Sequence, residues 1–325
     1  MNGMRVLRLT VLLSLLIAAA QAVAQNGYPS KPLTLILADG IGGMSDLRAR
    51  QLAPRLAEAL GQPVIVDNRP GGSMILGAQA AARAPGDGHT LFFGNFVTHS
   101  LNPWLFKSLP YRPDEDFIPV TLVAMGPIIL LANPQLEARS VRELIDLAKS
   151  RPGQLNYAAL GKGSATHIIM EQIKATTGAD IVLVQYKATS AYIQDLIAGH
   201  VQISFNWWSI VGPQVKAGRL RALAVAAPHR LAAAPDVQTF AEAGLSGIDG
   251  VTWQGLFVPA GTPKSIVARL QTEVAPILRS PEIRNSVVEA GGEIGGNSPE
   301  DFAAFVRADR AAWKKSVDAA GITPE

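Results

Sequence analysis

The chain has 325 residues, no cysteine, and 29 basic against 26 acidic side chains. This near-neutral charge, with 6% aromatic residues and no block of Lys or Arg, excludes the basic stripe with aromatic platforms that is typical of nucleic-acid-binding proteins. The lack of cysteine excludes a lipoprotein and a disulfide-stapled fold, and the length suffices for two lobes of ordinary domain size.

The N-terminal segment has the composition of a secretory signal peptide. Arg5 and Arg8 precede an apolar run from Leu9 to Ala20, and small residues follow up to Ala24. Spanning a bilayer takes about 20 apolar residues, so this run is too short for a retained membrane anchor. The sequence therefore predicts export to the periplasm with cleavage after Ala24.

Apolar strands alternate with longer helical patterns through the N-terminal part of the chain. A buried strand is predicted over Leu33–Ala38, and apolar residues then recur at helical spacing from Leu47 to Leu60. The next strand starts at Pro63, and another covers Thr90–Gly94. This alternation predicts an α/β fold in which doubly wound, mainly parallel sheets are flanked by helices.

The middle of the chain restarts the same alternation. Val120–Ala132 contains two apolar runs split by Gly126 and Pro127, and a helix over Val141–Lys149 and a strand over Gln154–Ala159 follow. An apolar strand predicted over Val251–Pro259 leads back, and the C-terminal helices are expected to pack on the first lobe. The sequence thus predicts two lobes with a ligand cleft between them, the first formed by residues 25–126 and 252–325 and the second by residues 127–251.

Two glycine-rich loops each lead from a strand into a helix. The first loop reads Gly40-Ile-Gly-Gly-Met-Ser-Asp46, and the second loop reads Gly161-Lys-Gly-Ser-Ala-Thr-His167. The first N–H groups of a helix have no intrahelical acceptor, and the helix dipole adds partial positive charge there, so such an end stabilises an anion. Glycine lets a ligand approach the backbone, and Ser or Thr caps the helix or donates to the ligand. Facing each other, the two loops would hold a small anion.

Motifs for catalysis, metals and cofactors are incomplete. The five histidines do not reach metal-ligand spacing, and neither loop completes a dinucleotide-binding or P-loop motif. Ser164 with His167 keeps an exported Ser/His hydrolase as an alternative, although the second glycine of a nucleophile elbow is missing. A serine that caps a helix explains the same residues. We expect no metal, no cofactor and no catalytic residue.

Short sequence motifs follow one another in a fixed order along nearly all of the mature chain. They include Gly42-Gly43 with Ser45-Asp46, Asp67-Asn-Arg-Pro-Gly71, Asp87-Gly-His-Thr-Leu91, Gly218-Arg-Leu-Arg-Ala222 and Pro259-Ala-Gly-Thr-Pro263. This ordered set resembles the Bug-type extracytoplasmic solute receptors of tripartite tricarboxylate transporters. The order of the motifs is far more specific than any one of them.

The resemblance implies a monomeric, two-lobed periplasmic binding protein of the Venus-flytrap type, without cofactor or catalysis. Such a receptor delivers a small organic acid to the permease subunits of a membrane transporter; a ligand sensor for a membrane signalling partner is the further alternative. In that family, the ligand's carboxylates are held by the loops that match Gly42, Gly43 and Ser45, and Gly163, Ser164 and Thr166. By similarity, the loops that line the cleft carry Asn95, Thr98 and Asn206.

Two departures from the family's pattern face the expected cleft. Ala38-Asp-Gly-Ile41 stands where relatives have an aromatic residue and prolines, and Asn206-Trp-Trp208 stands where they often have Asp-Asn. An unpaired buried carboxylate is costly, so Asp39 is expected to meet Lys162, a cationic group of the ligand, or water. Trp207 and Trp208 would form a flat wall or pack at the lobe interface. With Asp39 as a ligand-binding residue, the sequence predicts an amino- or ring-bearing acid rather than a plain dicarboxylate.

Overall fold

The structure is a computed structural model that describes residues 27–161, 163–186, 188–248 and 250–324. The predicted signal peptide, residues 1–24, and the predicted partner of Asp39, Lys162, lie outside the described residues. None of the helices within the described ranges combines the length and the apolar composition that a membrane crossing requires.

Strands and helices alternate along the N-terminal part, as the sequence predicts. In chain order they are β1 (Leu33–Leu37), α1 (Met44–Leu60), β2 (Val64–Asn68), α2 (Ile75–Ala82), β3 (Thr90–Asn95), a π-helical turn (Val97–Leu101), α3 (Asn102–Leu105) and the long strand β4 (Phe117–Ala132).

The remaining elements continue this alternation and end in helices. The middle part contains α4 (Val141–Ser150), β5 (Leu155–Ala159), α5 (Ala165–Thr177), β6 (Ile181–Gln185), α6 (Thr189–Ala198), β7 (Ile203–Trp207), α7 (Trp208–Lys216) and β8 (Arg221–Val225). The C-terminal part contains β9 (Val251–Pro259), α8 (Lys264–Arg279), α9 (Pro281–Glu289), β10 (Glu293–Ile294) and α10 (Pro299–Ala319).

The strands form one curled sheet in the order β2-β1-β3-β9-β4-β7-β5-β6, with β8 and β10 also paired to β4. Strands β2, β1 and β3 are parallel at one end of the sheet, and β6, β5 and β7 are parallel at the other. Strand β9 is antiparallel to both β3 and β4, and β7 and β8 are antiparallel to β4. Each end of the sheet thus carries the strand–helix–strand units that the sequence predicts, and the α/β fold is confirmed.

Strand β4 connects the two ends of the sheet. Its residues from Phe117 to Pro127 pair with β9, and those from Ile128 to Ala132 pair with β7 and β8. The two apolar runs around Gly126 form one continuous strand, because β9 stays paired with β4 as far as Pro127, through two shifts of register. The predicted lobe boundaries fall where β4 changes its pairing partners, and they stay a prediction.

Apolar side chains on both faces of the sheet hold the helices that carry the loops. Leu33, Leu35 and Leu37 of β1 are fully buried in a cluster with Leu52 and Leu56 of α1. Because side chains of a strand alternate between its faces, Ile36 joins the core on the opposite face. This packing fixes α1 directly after the carboxyl end of β1, where open α/β sheets place their ligand sites.

Candidate functional site

The first and second loops share their backbone conformation at the two residues directly before their helices. Gly42 has a φ of 80° and Gly163 a φ of 78°, a region in which side chains other than glycine are strained. The next residue in each loop, Gly43 or Ser164, is extended and forms the N-cap of α1 or α5. The two ends of the sheet therefore present two helix N-termini of matching shape.

A side chain one turn into each helix closes the loop before it. Asp46 accepts a hydrogen bond from the N–H of Gly42 at 3.0 Å, and His167 Nδ1 accepts one from the N–H of Gly163 at 3.2 Å. Asp46 also accepts from Nε of Arg50 at 3.0 Å, and this hydrogen bond holds the pKa of the Asp46 carboxyl below its usual range. Asp46 therefore shapes its loop and links it to the first turns of α1.

Ser164 is the helix cap of the second loop. Its Oγ accepts the N–H of His167 at 3.3 Å, donates to the carbonyl oxygen of Gly161 at 2.8 Å, and lies 3.1 Å from the hydroxyl of Thr166. A carbonyl oxygen can only accept, so the Ser164 hydroxyl is the donor of that hydrogen bond. The contacts of Ser164 match the capping role expected from the sequence.

Both loops open onto one cavity of about 1280 Å³. Pockets for small ligands typically enclose roughly 300–1,000 Å³, so this space has the size of an open cleft. Within the described parts of the chain, no group of three or more His, Asp or Glu side chains is placed to bind a metal ion. Eight of the predicted ligand-binding residues line the cavity, namely Asp39, Gly42, Gly43, Ser45, Asn95, Gly163, Ser164 and Thr166.

Asp39 is half-buried at the N-terminus of α1. Its Oδ1 accepts a hydrogen bond from Nδ2 of Asn95 at 3.3 Å, and its carbonyl oxygen accepts from Nδ2 of Asn68 at 3.2 Å. Burial raises the pKa of the Asp39 carboxyl, while the hydroxyl and N–H of Ser45 and the amide of Asn95 act in the opposite direction. The hydrogen-bond donors of Ser45 and Asn95, near the N-terminus of α1, thus already interact with a carboxyl group of the protein, that of Asp39.

Thr98 and Asn206, the other two predicted ligand-binding residues, are fully buried behind the cavity wall. The Thr98 hydroxyl accepts the N–H of Asn95 at 3.1 Å and donates to its carbonyl oxygen at 3.0 Å. Asn206 donates to the hydroxyl of Tyr192 at 2.8 Å and accepts the N–H of Trp207 at 2.8 Å. Both side chains therefore support residues that line the cavity, Asn95 and Trp207.

Arg48 lines the cavity, although sequence reasoning did not identify it. Its side chain is buried, and Nη1 donates to Oγ of Ser286 at 3.0 Å and to Oε1 of Gln51 at 3.2 Å. Both acceptors are neutral, and among the described residues no carboxylate forms an ion pair with Arg48. Its position three residues after Ser45, on the same side of α1, was the available sequence signal.

Two neighbouring tryptophans form another part of the cavity wall. The indole N–H of Trp207 donates to Oγ1 of Thr252 at 2.8 Å, and Thr252 in turn donates to the carbonyl oxygen of Gly126. Trp208 is only 5% exposed and packs against Gly291. Packing, one of the two roles expected for this pair, therefore accounts for Trp208.

The chain is similar to a known receptor family over most of its length. The sequence model described as a tripartite tricarboxylate transporter family receptor matches residues 48–322. Among curated relatives, BugT of Bordetella pertussis is 31% identical over 314 residues, which cover 95% of this chain and 96% of BugT.

Two solved structures share the fold at similar identity. Rpa4515 of R. palustris with adipate has a TM-score of 0.83 and 36% identity, covering 92% of this chain and 100% of its own. MatC (Rpa3494) of Rhodopseudomonas palustris with bound malate has a TM-score of 0.78 and 32% identity, covering 89% of this chain and 100% of its own. The two-lobed fold and the resemblance to Bug-type receptors are therefore confirmed.

Proposed function

The chain belongs to the tripartite tricarboxylate transporter receptor family, and on that premise we propose that it captures one small carboxylate-bearing metabolite between its lobes. It acts in the periplasm, after removal of residues 1–24, and delivers the metabolite to a tripartite tricarboxylate-type permease. It performs no chemistry on its ligand. The adipate and malate bound by the two neighbouring structures support a carboxylate as the ligand.

One observation carries this proposal: two helix N-termini of matching shape open onto the same cavity. Backbone N–H groups at such ends stabilise anions, and Thr166 supplies a hydroxyl beside the second one. Arg48 adds a buried positive charge to the same wall. Together these groups are the ones we assign to capture of the small acid.

The number of available donors fits the affinity of a receptor. Four to six hydrogen bonds to a charged ligand contribute about 1.5–3 kcal/mol each, and association and lobe closure offset much of that sum. A remainder of about −8 kcal/mol corresponds to a micromolar dissociation constant. Because the ligand would touch both lobes only when the cleft is shut, binding shifts the population towards the closed form.

The test of this function is a thermal-shift screen of small organic acids against the purified chain, followed by calorimetric titration of each hit. We expect at least one small carboxylate to bind with micromolar affinity, and Thr166→Val to weaken that binding roughly tenfold by removing one charged-ligand hydrogen bond. Thr176→Val, at the exposed far end of the same helix, is the matched control and leaves the affinity unchanged.

Two results would count against the proposal. One is a screen in which no small acid stabilises the chain. The other is a carboxylate ligand whose affinity responds equally to Thr166→Val and Thr176→Val, because the second loop would then make no specific contact with it.

A further inference from the structure

The two loops differ at the residue that precedes their first glycine. Asp39 stands before Gly40 in the first loop, and Leu160 stands before Gly161 in the second. Both side chains line the cavity, and Leu160 is 45% exposed. The two helix N-termini are similar in shape, but they differ in charge, because only the first loop has an acidic residue at this position.

The acid of the first loop sits where a ligand carboxylate would otherwise bind. The Asp39 carboxylate accepts a hydrogen bond from the side-chain amide of Asn95 at 3.3 Å and interacts with the hydroxyl and N–H of Ser45. Asp46, one turn into α1, adds a second negative charge nearby. A ligand carboxylate at this end would meet like charge and would find these donors already engaged.

Asp39 has no cationic partner among the residues that the structure describes. Asn95 and Ser45 are neutral donors, and the guanidinium of Arg48 is bonded to Ser286 and Gln51 instead. A half-buried carboxylate loses further hydration when a cleft closes over it, and that loss is costly unless a positive group compensates for it. The closed cleft therefore favours a ligand that brings this positive group.

We propose that the ligand is a carboxylate that also carries an ammonium group, with Asp39 as the residue that selects it. The ammonium group donates to Asp39 at the first loop, and the carboxylate binds at the second loop beside Ser164 and Thr166. An ammonium group has three N–H donors and no acceptor, so it suits a site whose acceptor is an acid. This proposal rests on the proposed function, since it presupposes that the cleft binds a small acid.

The test uses pairs of acids that differ only in the ammonium group: aspartate with succinate, and glutamate with glutarate. Calorimetric titration of the purified chain should give a dissociation constant roughly tenfold or more lower for the ammonium-bearing member of the pair that fits. Asp39→Asn should abolish this preference by weakening the amino acid and strengthening the plain dicarboxylate. Asp146→Asn makes the same substitution on an exposed face of α4, away from the cavity, and should keep the preference.

The outcomes separate this inference from the function on which it rests. Binding of succinate or glutarate as tightly as its amino partner, or a preference that survives in folded Asp39→Asn, overturns the ammonium assignment and leaves the receptor function intact. Absence of binding to every small acid overturns the receptor function, and the assignment with it. Thermal unfolding of Asp39→Asn and Asp146→Asn identifies any variant that has lost its fold.

Discussion

At the residue scale, Asp46 links the stability of the fold to the shape of the first loop. Its side chain is 2% exposed and joins the N–H of Gly42 to Nε of Arg50. Asp46→Ala leaves both donors without their acceptor, so we expect a loss of about 1.5–3 kcal/mol in the free energy of unfolding at pH 7. Asp146→Ala, on an exposed face of α4, is the control and should stay within about 0.5 kcal/mol of wild type.

The same carboxyl predicts how the effect of Asp46→Ala depends on pH. The hydrogen bond from Arg50 lowers the pKa of Asp46 in the folded state below the ordinary value of an aspartate. A carboxyl with a lowered pKa stabilises the fold above its unfolded pKa and loses that contribution as the pH falls through the folded value. Urea unfolding should therefore show the gap between wild type and variant narrowing below pH 4; a constant gap down to pH 2 would contradict this role.

The buried His99 should make the free energy of unfolding depend on pH in a different pH range. Its ring is buried and stacked on Phe257 at 3.9 Å, and burial, with the charge of Arg310, lowers its pKa to about 3. Between pH 6.5, near the pKa of a histidine in the unfolded chain, and about pH 3, His99 is protonated in the unfolded chain but not in the folded protein. The free energy of unfolding therefore decreases as the pH falls through this range. Wild type should lose about 2 kcal/mol more than His99→Phe on going from pH 7 to pH 5.

The control for this window is His229→Phe, because His229 is exposed. Its stability should follow wild type between pH 7 and pH 5. Parallel curves of unfolding free energy against pH for wild type and His99→Phe would contradict the prediction. They would show that His99 has the same pKa in the folded protein as in the unfolded chain.

Single residues of the site were predictable only in part. The glycines and hydroxyls of both loops were identifiable because anion binding at a helix N-terminus needs those residue types. Thr98 and Asn206 carry equally suitable groups, but the turn of the π-helical segment and the pairing of β7 with β4 bury them. Arg48 was missed as a cavity-lining residue because its placement depends on Ser286, which is remote in sequence and reaches Arg48 only through the fold of the C-terminal part.

At the element scale, the contact of β9 with α10 depends on a residue without a side chain. A Cβ on Gly255 would clash with Cζ of Phe302, which is fully buried between α10 and the sheet. Gly255→Ala should therefore cost about 1–3 kcal/mol of unfolding free energy through overpacking. Chemical denaturation measures it, with Gly27→Ala as the control, because a Cβ at Gly27 meets nothing within 4 Å.

A double variant distinguishes overpacking from other causes. Phe302→Leu shortens the side chain that the new methyl group would strike. In combination with Gly255→Ala it should cost less than the sum of the two single variants, since the two changes compensate in volume. Additive losses would show that Phe302 is not the obstacle.

Most elements lie close to their predicted positions, since apolar periodicity records which faces are buried. The strand predicted over Leu33–Ala38 spans Leu33–Leu37, and the strand predicted over Val251–Pro259 has those same bounds. Strand β4 could not be read as one element, because Gly126 and Pro127 break its apolar pattern while pairing with β9 preserves its backbone. That pairing joins residues more than a hundred positions apart.

At the scale of the whole molecule, the alternation of strands and helices in the sequence predicted the class of fold, and the two glycine-rich loops predicted a cleft. Their convergence on one cavity depends on how β4 and β9 connect the two ends of the sheet, which local sequence does not encode. The contrast between Asp39 and Leu160 became interpretable only once both side chains were placed on that cavity. Fold and family were thus accessible from the chain itself, and the electrostatics of the cleft required the structure.

The most direct measurement is a crystal structure of the chain with a small carboxylate identified by the thermal-shift screen. We predict that a carboxylate of the ligand lies between the two loops, within hydrogen-bonding distance of Ser164 or Thr166 at the N-terminus of α5. A ligand held elsewhere on the molecule, with the N-terminus of α5 open to solvent, would contradict the account.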